Sequence, residues 1–141
     1  MKVLVVDDSG IMRRVMSNAV TANKHVAVEA KDGADALIKL KEHKDDISLI
    51  ILDWNMPVMD GYEMLCEVRA QREYDHIPIL MATTDGVKED VLKALKAGAT
   101  NYLVKPFEQE ALVKKIAECL FSKSRGKAQG GGNTGSDLQR D

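Results

Sequence analysis

The sequence has 141 residues, of which 45% are hydrophobic and 30% charged, with a formal net charge of −2. This composition predicts one ordinary globular domain with its own core, and it argues against a membrane span or a secretory signal. The slightly acidic balance argues against nucleic-acid binding, which requires a basic face, so we expect a cytoplasmic protein without membrane or nucleic-acid partners.

Short aliphatic runs alternate with longer amphipathic ones along the chain, which predicts a series of strand–helix units. Residues 2–6 predict the first strand, and residues 11–22 carry apolar side chains at helical spacing. Residues 25–30 predict a second strand. Asp32 is a candidate N-cap for a helix over residues 34–43.

The third strand is the most informative segment, because four large aliphatic residues at 49–52 lead directly into Asp53. A continuous apolar run is typical of a strand buried on both faces, as in the middle of a parallel sheet. Pro57 prevents the paired strand from continuing. Asp60 and Gly61 then precede a third helix.

The alternation continues in the second half of the chain. Strands are predicted over residues 77–82 and 101–104, and helices over residues 87–97 and 108–121. Gly98 can adopt the left-handed conformation that ends a helix. Five such units with short connections predict a doubly wound α/β fold, in which five helices cover a five-stranded parallel sheet.

The composition changes sharply after residue 121. Residues 122–141 contain three consecutive glycines and almost no apolar side chains, so we predict a disordered Gly-rich tail after a folded domain over residues 1–121. Four of the 20 basic and two of the 22 acidic residues lie in this tail, which leaves the folded part with a charge of −4. The tail is a linker, a partner-binding arm or an inert extension.

Chemically active side chains follow four of the five predicted strands. They are Asp7 and Asp8, Asp53, Thr83 with Thr84, and Lys105. In a parallel sheet these strand ends meet at one edge, where open α/β folds bind their ligands. Clustered carboxylates require a cation, and hard oxygen ligands suit Mg²⁺ or Mn²⁺. A carboxylate beside such a metal can attack a phosphoryl group, whose oxygens require an ammonium and a hydroxyl donor.

Five short motifs lie in order at these predicted strand ends. They are Val-Asp-Asp at 6–8, Leu-Asp-Trp-Asn-Met-Pro at 52–57, Met-Asp-Gly at 59–61, a threonine at 83, and Val-Lys-Pro-Phe at 104–107. On these motifs, residues 1 to about 121 resemble the receiver domains of two-component response regulators, especially the single-domain chemotaxis regulators. The resemblance implies the flavodoxin-like (CheY-like) fold with strand order 2-1-3-4-5.

The resemblance also implies a role for each matching residue. Asp53 is expected to accept the phosphoryl group. Asp7, Asp8 and Asp53 are expected to bind Mg²⁺, Asp7 through water, together with the backbone carbonyl of Asn55. Lys105 is expected to pair with the phosphoryl group, and its peptide bond to the following proline is cis in the family.

Four residues are expected to adjust the signal rather than to carry the phosphoryl group. Thr83 would donate its hydroxyl to a phosphoryl oxygen after moving toward it. Tyr102 matches the family's aromatic switch, which turns inward as the threonine moves, although an aromatic on the last strand can also simply pack. Asn55 and Thr84 flank the site and are expected to tune the hydrolysis rate.

The function that the resemblance implies is signal transfer. A histidine kinase would phosphorylate Asp53, and the added charge would bias a surface formed by the fourth helix, the fifth strand and the fifth helix. The protein would assist its own phosphorylation and dephosphorylation without being an enzyme for an independent substrate. We expect a monomer that acts in chemotaxis and binds the flagellar motor switch or another protein target.

Three alternatives remain open. The chain is a phosphorelay carrier that passes its phosphoryl group to a histidine phosphotransfer protein, or the receiver part of a longer regulator whose output domain is missing. A haloacid-dehalogenase-like phosphatase also uses an aspartate nucleophile with Mg²⁺. That class, however, has a second aspartate two residues after the nucleophile, where this chain has Asn55.

Overall fold

A parallel sheet with helices on both faces organises the molecule. The structure, a computed structural model, describes residues 1–84, 86 and 88–128, with side chains described as far as residue 121. The strands are β1 (Lys2–Val6), β2 (Val26–Ala30), β3 (Ile47–Asp53), β4 (Ile79–Thr83) and β5 (Asn101–Val104). The helices are α1 (Gly10–Ala22), α2 (Gly33–Glu42), α3 (Gly61–Arg69), α4 (Lys88–Ala97) and α5 (Gln109–Ala128), and a short 3₁₀ turn covers Arg72–Tyr74.

The strands lie in the order β2-β1-β3-β4-β5, and every neighbouring pair is parallel. This topology confirms the predicted doubly wound α/β fold and the strand order 2-1-3-4-5. The order reverses between β1 and β3, because β2 lies on one side of β1 and β3, the next strand along the chain, lies on the other side. Such a reversal opens a crevice at the carboxyl ends of the two central strands.

Two hydrophobic clusters, one on each face of the sheet, explain why β1 and β3 are central. Leu4 and Val6 of β1 pack toward α2 and α3, whereas Val3 and Val5 pack toward α1 and α5. All four side chains are 0% exposed, and so are residues 49–52 of β3. Burying each such side chain stabilises the fold by roughly 1.5–3 kcal/mol, so the sheet holds its strand ends in fixed positions.

Side-chain caps fix where α2 and α3 begin. The Asp32 carboxylate accepts a hydrogen bond from the Asp35 N–H at 2.8 Å, which confirms its predicted role as N-cap. The Asp60 carboxylate accepts from the Glu63 N–H at 2.8 Å, and the Glu63 carboxylate accepts from the Asp60 N–H at 2.9 Å. This reciprocal capping box starts α3 at Gly61, immediately after the loop that follows β3.

Most element boundaries differ from the predicted ones, usually by one or two residues, and the start of β4 and the end of α5 are two of the differences. β4 begins at Ile79 rather than at residue 77, because Pro78 has no N–H and joins the sheet only through its carbonyl, which accepts from the Ile50 N–H at 3.0 Å. α5 continues to Ala128 rather than ending at residue 121.

The remainder of the predicted tail, residues 129–141, lies outside the described residues, and so does Val87, the predicted first residue of α4. None of the helices within the described ranges combines the length and the apolar character that a bilayer crossing requires.

Arg69 ties the end of α3 to the end of α4 and to the start of β4. Its guanidinium donates to the carbonyls of Tyr74 at 3.0 Å, Ile77 at 2.8 Å and Gly98 at 2.9 Å. Burial lowers the pKa of Arg69, and these three charge-assisted hydrogen bonds offset its desolvation. Gly98 has the predicted left-handed conformation with φ 115°, and a Cβ there would lie only 2.8 Å from the Arg69 side chain.

We expect Arg69→Met to lower the free energy of unfolding by about 3 kcal/mol, because three part-buried carbonyls lose a charged donor. Urea denaturation followed by tryptophan fluorescence measures this change. Arg72→Met, at an exposed arginine in the next turn, is the matched control and should change stability by no more than about 0.5 kcal/mol. Equal effects of the two substitutions would contradict the role of Arg69 as a clamp.

Candidate functional site

The carboxyl edge of the sheet aligns the polar ends of three adjacent strands. Asp53 of β3 is in register with Ala82 of β4, and Thr83 of β4 is in register with Val104 of β5. Lys105 follows directly after β5. A carboxylate, a hydroxyl and an ammonium therefore lie at neighbouring strand ends. Asp53 and Thr83 are each only 1% exposed, so Asp53 is not an ordinary surface aspartate in a loop.

Three carboxylates meet at this edge. One oxygen from each of Asp7, Asp8 and Asp53 lies within 4.8 Å of the others. Asp7 and Asp53 are buried, whereas Asp8 is exposed to solvent. Carboxylates at this spacing repel one another unless a cation is present, and an all-oxygen donor set with one solvent-exposed member suits a hard divalent cation that keeps water ligands.

Lys105 lies between the two buried carboxylates. Its Nζ donates to Asp53 Oδ1 at 2.7 Å and to Asp7 Oδ2 at 3.2 Å, and its side chain is only 12% exposed. Burial alone would lower the pKa of Lys105, but the hydrogen bond and charge of Asp53 and the charge of Asp7 outweigh it and raise the pKa. The ammonium therefore stays charged at neutral pH.

One ammonium does not compensate two buried carboxylates. Burial raises the pKa of Asp53, the hydrogen bond from Lys105 opposes this rise, and the negative charge of Asp7 adds to it, so that the pKa of Asp53 is raised overall. The ionised form of Asp53 is thus less stable here than that of a solvent-exposed aspartate. This imbalance is the main electrostatic property of the site.

Asn55 connects the loop after β3 with the loop after β4. Its backbone N–H donates to Asp53 Oδ1 at 3.2 Å. Its side-chain Oδ1 accepts from the Thr84 N–H at 3.3 Å and from the Thr84 hydroxyl at 3.0 Å. The structure thus brings the two residues predicted to tune hydrolysis into direct contact beside Asp53, while their role in hydrolysis stays a prediction.

Gly61 allows α3 to begin directly against the end of β3. Its N–H donates to the carbonyl of Trp54 at 2.9 Å. A Cβ on Gly61 would overlap the carbonyl oxygen of Asp53 and lie 2.6 Å from the Trp54 Cα. In the sequence, Gly61 was interpreted only as a sign of a helix start, although a glycine immediately after an N-cap is also a signal of close backbone approach.

The loop between β3 and α3 also contains a strained residue that the sequence analysis missed. Val58 has φ 68°, a conformation that disfavours β-branched side chains, and it is fully exposed. The next residue, Met59, packs over Gly33 at the start of α2, where a Cβ would lie 2.8 Å from the Met59 sulfur. The packing of Met59 thus helps hold the loop in this strained conformation.

An aromatic column links the residue after Asp53 to α4. The rings of Trp54 and Tyr62 stack with centroids 5.7 Å apart and an interplanar angle of 23°. The Lys93 ammonium lies 4.3 Å from the centroid of the Tyr62 ring, which is a favourable cation–π distance. Trp54 therefore lies next to the acidic edge and is linked through Tyr62 to α4.

Tyr102 lies below the carboxyl edge rather than at it. It is in register with Met81 of β4, and its neighbour Leu103 packs against the cluster on the α1 and α5 face. Because alternate residues of a strand face opposite ways, Tyr102 faces the α4 side, where it is 37% exposed. Its role as a switch stays a prediction, as does the role of Thr83. The peptide bond between Lys105 and Pro106 is cis, as the resemblance implies.

Comparisons with known proteins agree with this arrangement. The family model described as the response regulator receiver domain matches residues 3–117. The chain is 46% identical over 121 residues to a chemotaxis protein CheY homolog of Campylobacter jejuni, covering 85% of this chain and 92% of that protein. It is 45% identical over 121 residues to chemotaxis protein CheY1 of Helicobacter pylori, and the match covers 85% of this chain and 97% of that protein. The structure of Vibrio cholerae chemotaxis protein CheY4 is similar, with a TM-score of 0.78 and 41% sequence identity. The match covers 84% of this chain and 98% of that one.

We expect Asp53→Asn to raise the free energy of unfolding at neutral pH without divalent cations, because it removes a buried charge beside Asp7. A raised pKa means that the folded protein binds a proton at Asp53 more tightly than the unfolded chain does. The resulting stabilisation is present at acid pH and is lost as the pH rises through the raised pKa. The advantage of Asp53→Asn should therefore grow with pH.

Urea denaturation at several pH values in the presence of EDTA measures this trend. Asp45→Asn, at an exposed aspartate, is the control and should give no such trend. A variant at position 53 that is less stable than the wild type at neutral pH would show that ionised Asp53 is well compensated by Lys105 alone.

Proposed function

The chain belongs to the response regulator receiver family, and from that membership we propose that Asp53 accepts a phosphoryl group from a histidine kinase. The observation that supports this proposal is the position of Lys105, whose ammonium contacts the carboxylates of both Asp53 and Asp7. A nucleophilic carboxylate is thus already paired with the cation that phosphoryl oxygens require. The chain is a signalling receiver domain. We propose that it does not turn over an independent substrate.

In the proposed reaction, an oxygen of Asp53 forms a bond to phosphorus as the bond between phosphorus and the donor histidine nitrogen breaks. The product is an acyl phosphate. The Lys105 ammonium then pairs with the new phosphoryl oxygens in place of the carboxylate oxygen it now contacts. Thr83, buried at the adjacent strand end, supplies a hydroxyl donor on the other side.

Hydrolysis of the acyl phosphate returns the protein to its starting state. A water attacks phosphorus, inorganic phosphate leaves, and Asp53 regains its carboxylate. Asn55 and Thr84 form a hydrogen bond with each other and are both exposed, which supports an approach of that water past these two side chains. We propose that this pair sets the lifetime of the signal by controlling the access of water.

We propose that Asp7, Asp8 and Asp53 bind Mg²⁺, or Mn²⁺ in its place, with the backbone carbonyl of Asn55 as a further ligand. The support is the donor set itself, three carboxylates within 4.8 Å of one another with too little positive charge nearby. When bound, the metal neutralises negative charge on the transferring phosphoryl group. Without it, the repulsion among the carboxylates persists.

The proposed output is a surface on α4, β5 and α5 whose partner binding depends on phosphorylation. Exposed apolar side chains on α4 and β5 support a protein partner there. They are Leu92, Leu95, Tyr102 and Val104. We propose that movement of Thr83 toward the phosphoryl group lets Tyr102 turn inward, which changes this surface.

The relatives named above are chemotaxis proteins, and we propose that this chain acts in chemotaxis as well. Its target would be the flagellar motor switch, and it would act as a monomer in the cytoplasm. A phosphorelay carrier with the same receiver chemistry would instead pass its phosphoryl group to a histidine phosphotransfer protein. The two possibilities share Asp53 and differ in the partner.

Titration of Trp54 fluorescence with Mg²⁺, followed by acetyl phosphate as a small phosphodonor, tests the phosphorylation proposal. The wild type should respond to Mg²⁺ and then again to the phosphodonor, because both act beside Trp54. Asp53→Asn should lose the second response and all Mg²⁺-dependent phosphate that alkali or hydroxylamine releases, whereas Asp45→Asn should behave as the wild type. Phosphate that persists on Asp53→Asn at another residue would overturn the assignment.

Pull-down with the protein held in its phosphorylated form tests the target. We expect a motor switch component to bind the phosphorylated protein at least about tenfold more tightly than the unphosphorylated one, which corresponds to about 1.4 kcal/mol. Leu95→Asp on α4 should weaken this binding without affecting phosphorylation. Transfer of the label to a histidine phosphotransfer protein, without binding to the switch, would establish the phosphorelay alternative.

A further inference from the structure

Arg13, in the first turns of α1, contacts the backbone of the acidic group. Its Nη1 donates to the backbone carbonyl of Asp7 at 2.9 Å, and its Nε donates to Glu29 Oε1 at 3.3 Å. The other oxygen of Glu29 accepts from the Ser17 hydroxyl at 3.0 Å, and Ser17 is buried in α1. Arg13 is therefore held at both ends, by Glu29 at the end of β2 and by the loop that follows β1.

The three carboxylates of the acidic group are not held equally. The Asp7 carboxylate accepts from the Ser9 N–H at 2.9 Å and from Lys105, and the Asp53 carboxylate accepts from Lys105 and Asn55. Within the described part of the chain, the exposed Asp8 carboxylate has no hydrogen bond or ion pair of its own. The space that this carboxylate can reach is therefore set by the position of the Asp8 backbone.

The carbonyl that Arg13 binds belongs to the peptide unit between Asp7 and Asp8. That unit is planar, so fixing its oxygen also fixes the direction in which the chain enters Asp8. We infer that Arg13 is a positioning residue for the cation site: by binding the Asp7 carbonyl, it fixes the backbone from which the Asp8 carboxylate extends. The inference rests on the proposed function, because it assumes that these aspartates bind a divalent cation.

Because Arg13 is positively charged, a positioning role and a purely electrostatic role predict opposite changes in cation affinity when it is removed. A guanidinium near three carboxylates repels an incoming cation, so its removal should tighten cation binding if charge alone matters. If Arg13 acts by positioning, its removal should weaken cation binding instead. A purely structural role in joining α1 to β2 would lower stability and leave the affinity unchanged.

The test is a titration of Trp54 fluorescence with Mg²⁺ alone, on the full chain without a phosphodonor. We expect Arg13→Ala to raise the Mg²⁺ dissociation constant on the order of 10-fold, the usual effect of losing a residue that orients a metal ligand. Arg13→Lys keeps one donor and should recover part of the affinity. Arg14→Ala is the matched control, since it removes the same charge from an exposed neighbour.

Glu29→Gln provides a second, milder variant in case Arg13→Ala does not fold, which circular dichroism and thermal unfolding will show. Glu29→Gln weakens the contact that holds Arg13 but keeps its guanidinium, so we expect the Mg²⁺ dissociation constant to rise only a few-fold. Combining Glu29→Gln with Arg13→Ala should give no rise beyond that of Arg13→Ala alone. Unchanged or tighter Mg²⁺ binding in folded Arg13→Ala, or in Glu29→Gln if only that variant folds, would overturn the inference. A wild-type protein that fails to bind Mg²⁺ at all would instead overturn the proposed cation site itself.

Discussion

The contact of Lys105 with Asp53 and Asp7 is the interaction that dominates the electrostatics of the carboxyl edge. It places one buried ammonium against two buried carboxylates, at 2.7 and 3.2 Å, with a third carboxylate nearby. Water screens the remaining net negative charge poorly, because the side chains of Asp7 and Asp53 are buried. The site thus carries an excess of negative charge that a cation would compensate.

The rest of the fold keeps these like charges close together despite their repulsion. Strands β1 and β3 are buried on both faces, so their ends cannot move apart without exposing core side chains. Gly61 lets α3 start against the end of β3, and Asn55 ties that end to the loop after β4. Repulsion among the acids is in this way offset by hydrophobic burial elsewhere in the domain, which is the usual relation between a strained site and its scaffold.

The sequence predicted the helices and strands well where local chemistry decides them. Asp32 caps α2 as expected, and Gly98 adopts the left-handed conformation. The start of β4 was placed two residues early, since hydropathy does not show that Pro78 joins the sheet through its carbonyl alone. The strained backbone of Val58 was also missed, because a β-branched residue normally argues against a positive φ and nothing local signals the exception.

By itself, the sequence determined which side chains end each strand and therefore which chemistry meets at the edge of a parallel sheet, since strand and helix periodicity is a local property. Only the tertiary structure decided that Asp7 is buried while its neighbour Asp8 is exposed, and that Arg13 holds the carbonyl between them. The Lys105–Asp7 contact joins residues 98 positions apart. Such contacts depend on strand register and on side-chain packing between distant elements, which no local pattern in the chain encodes.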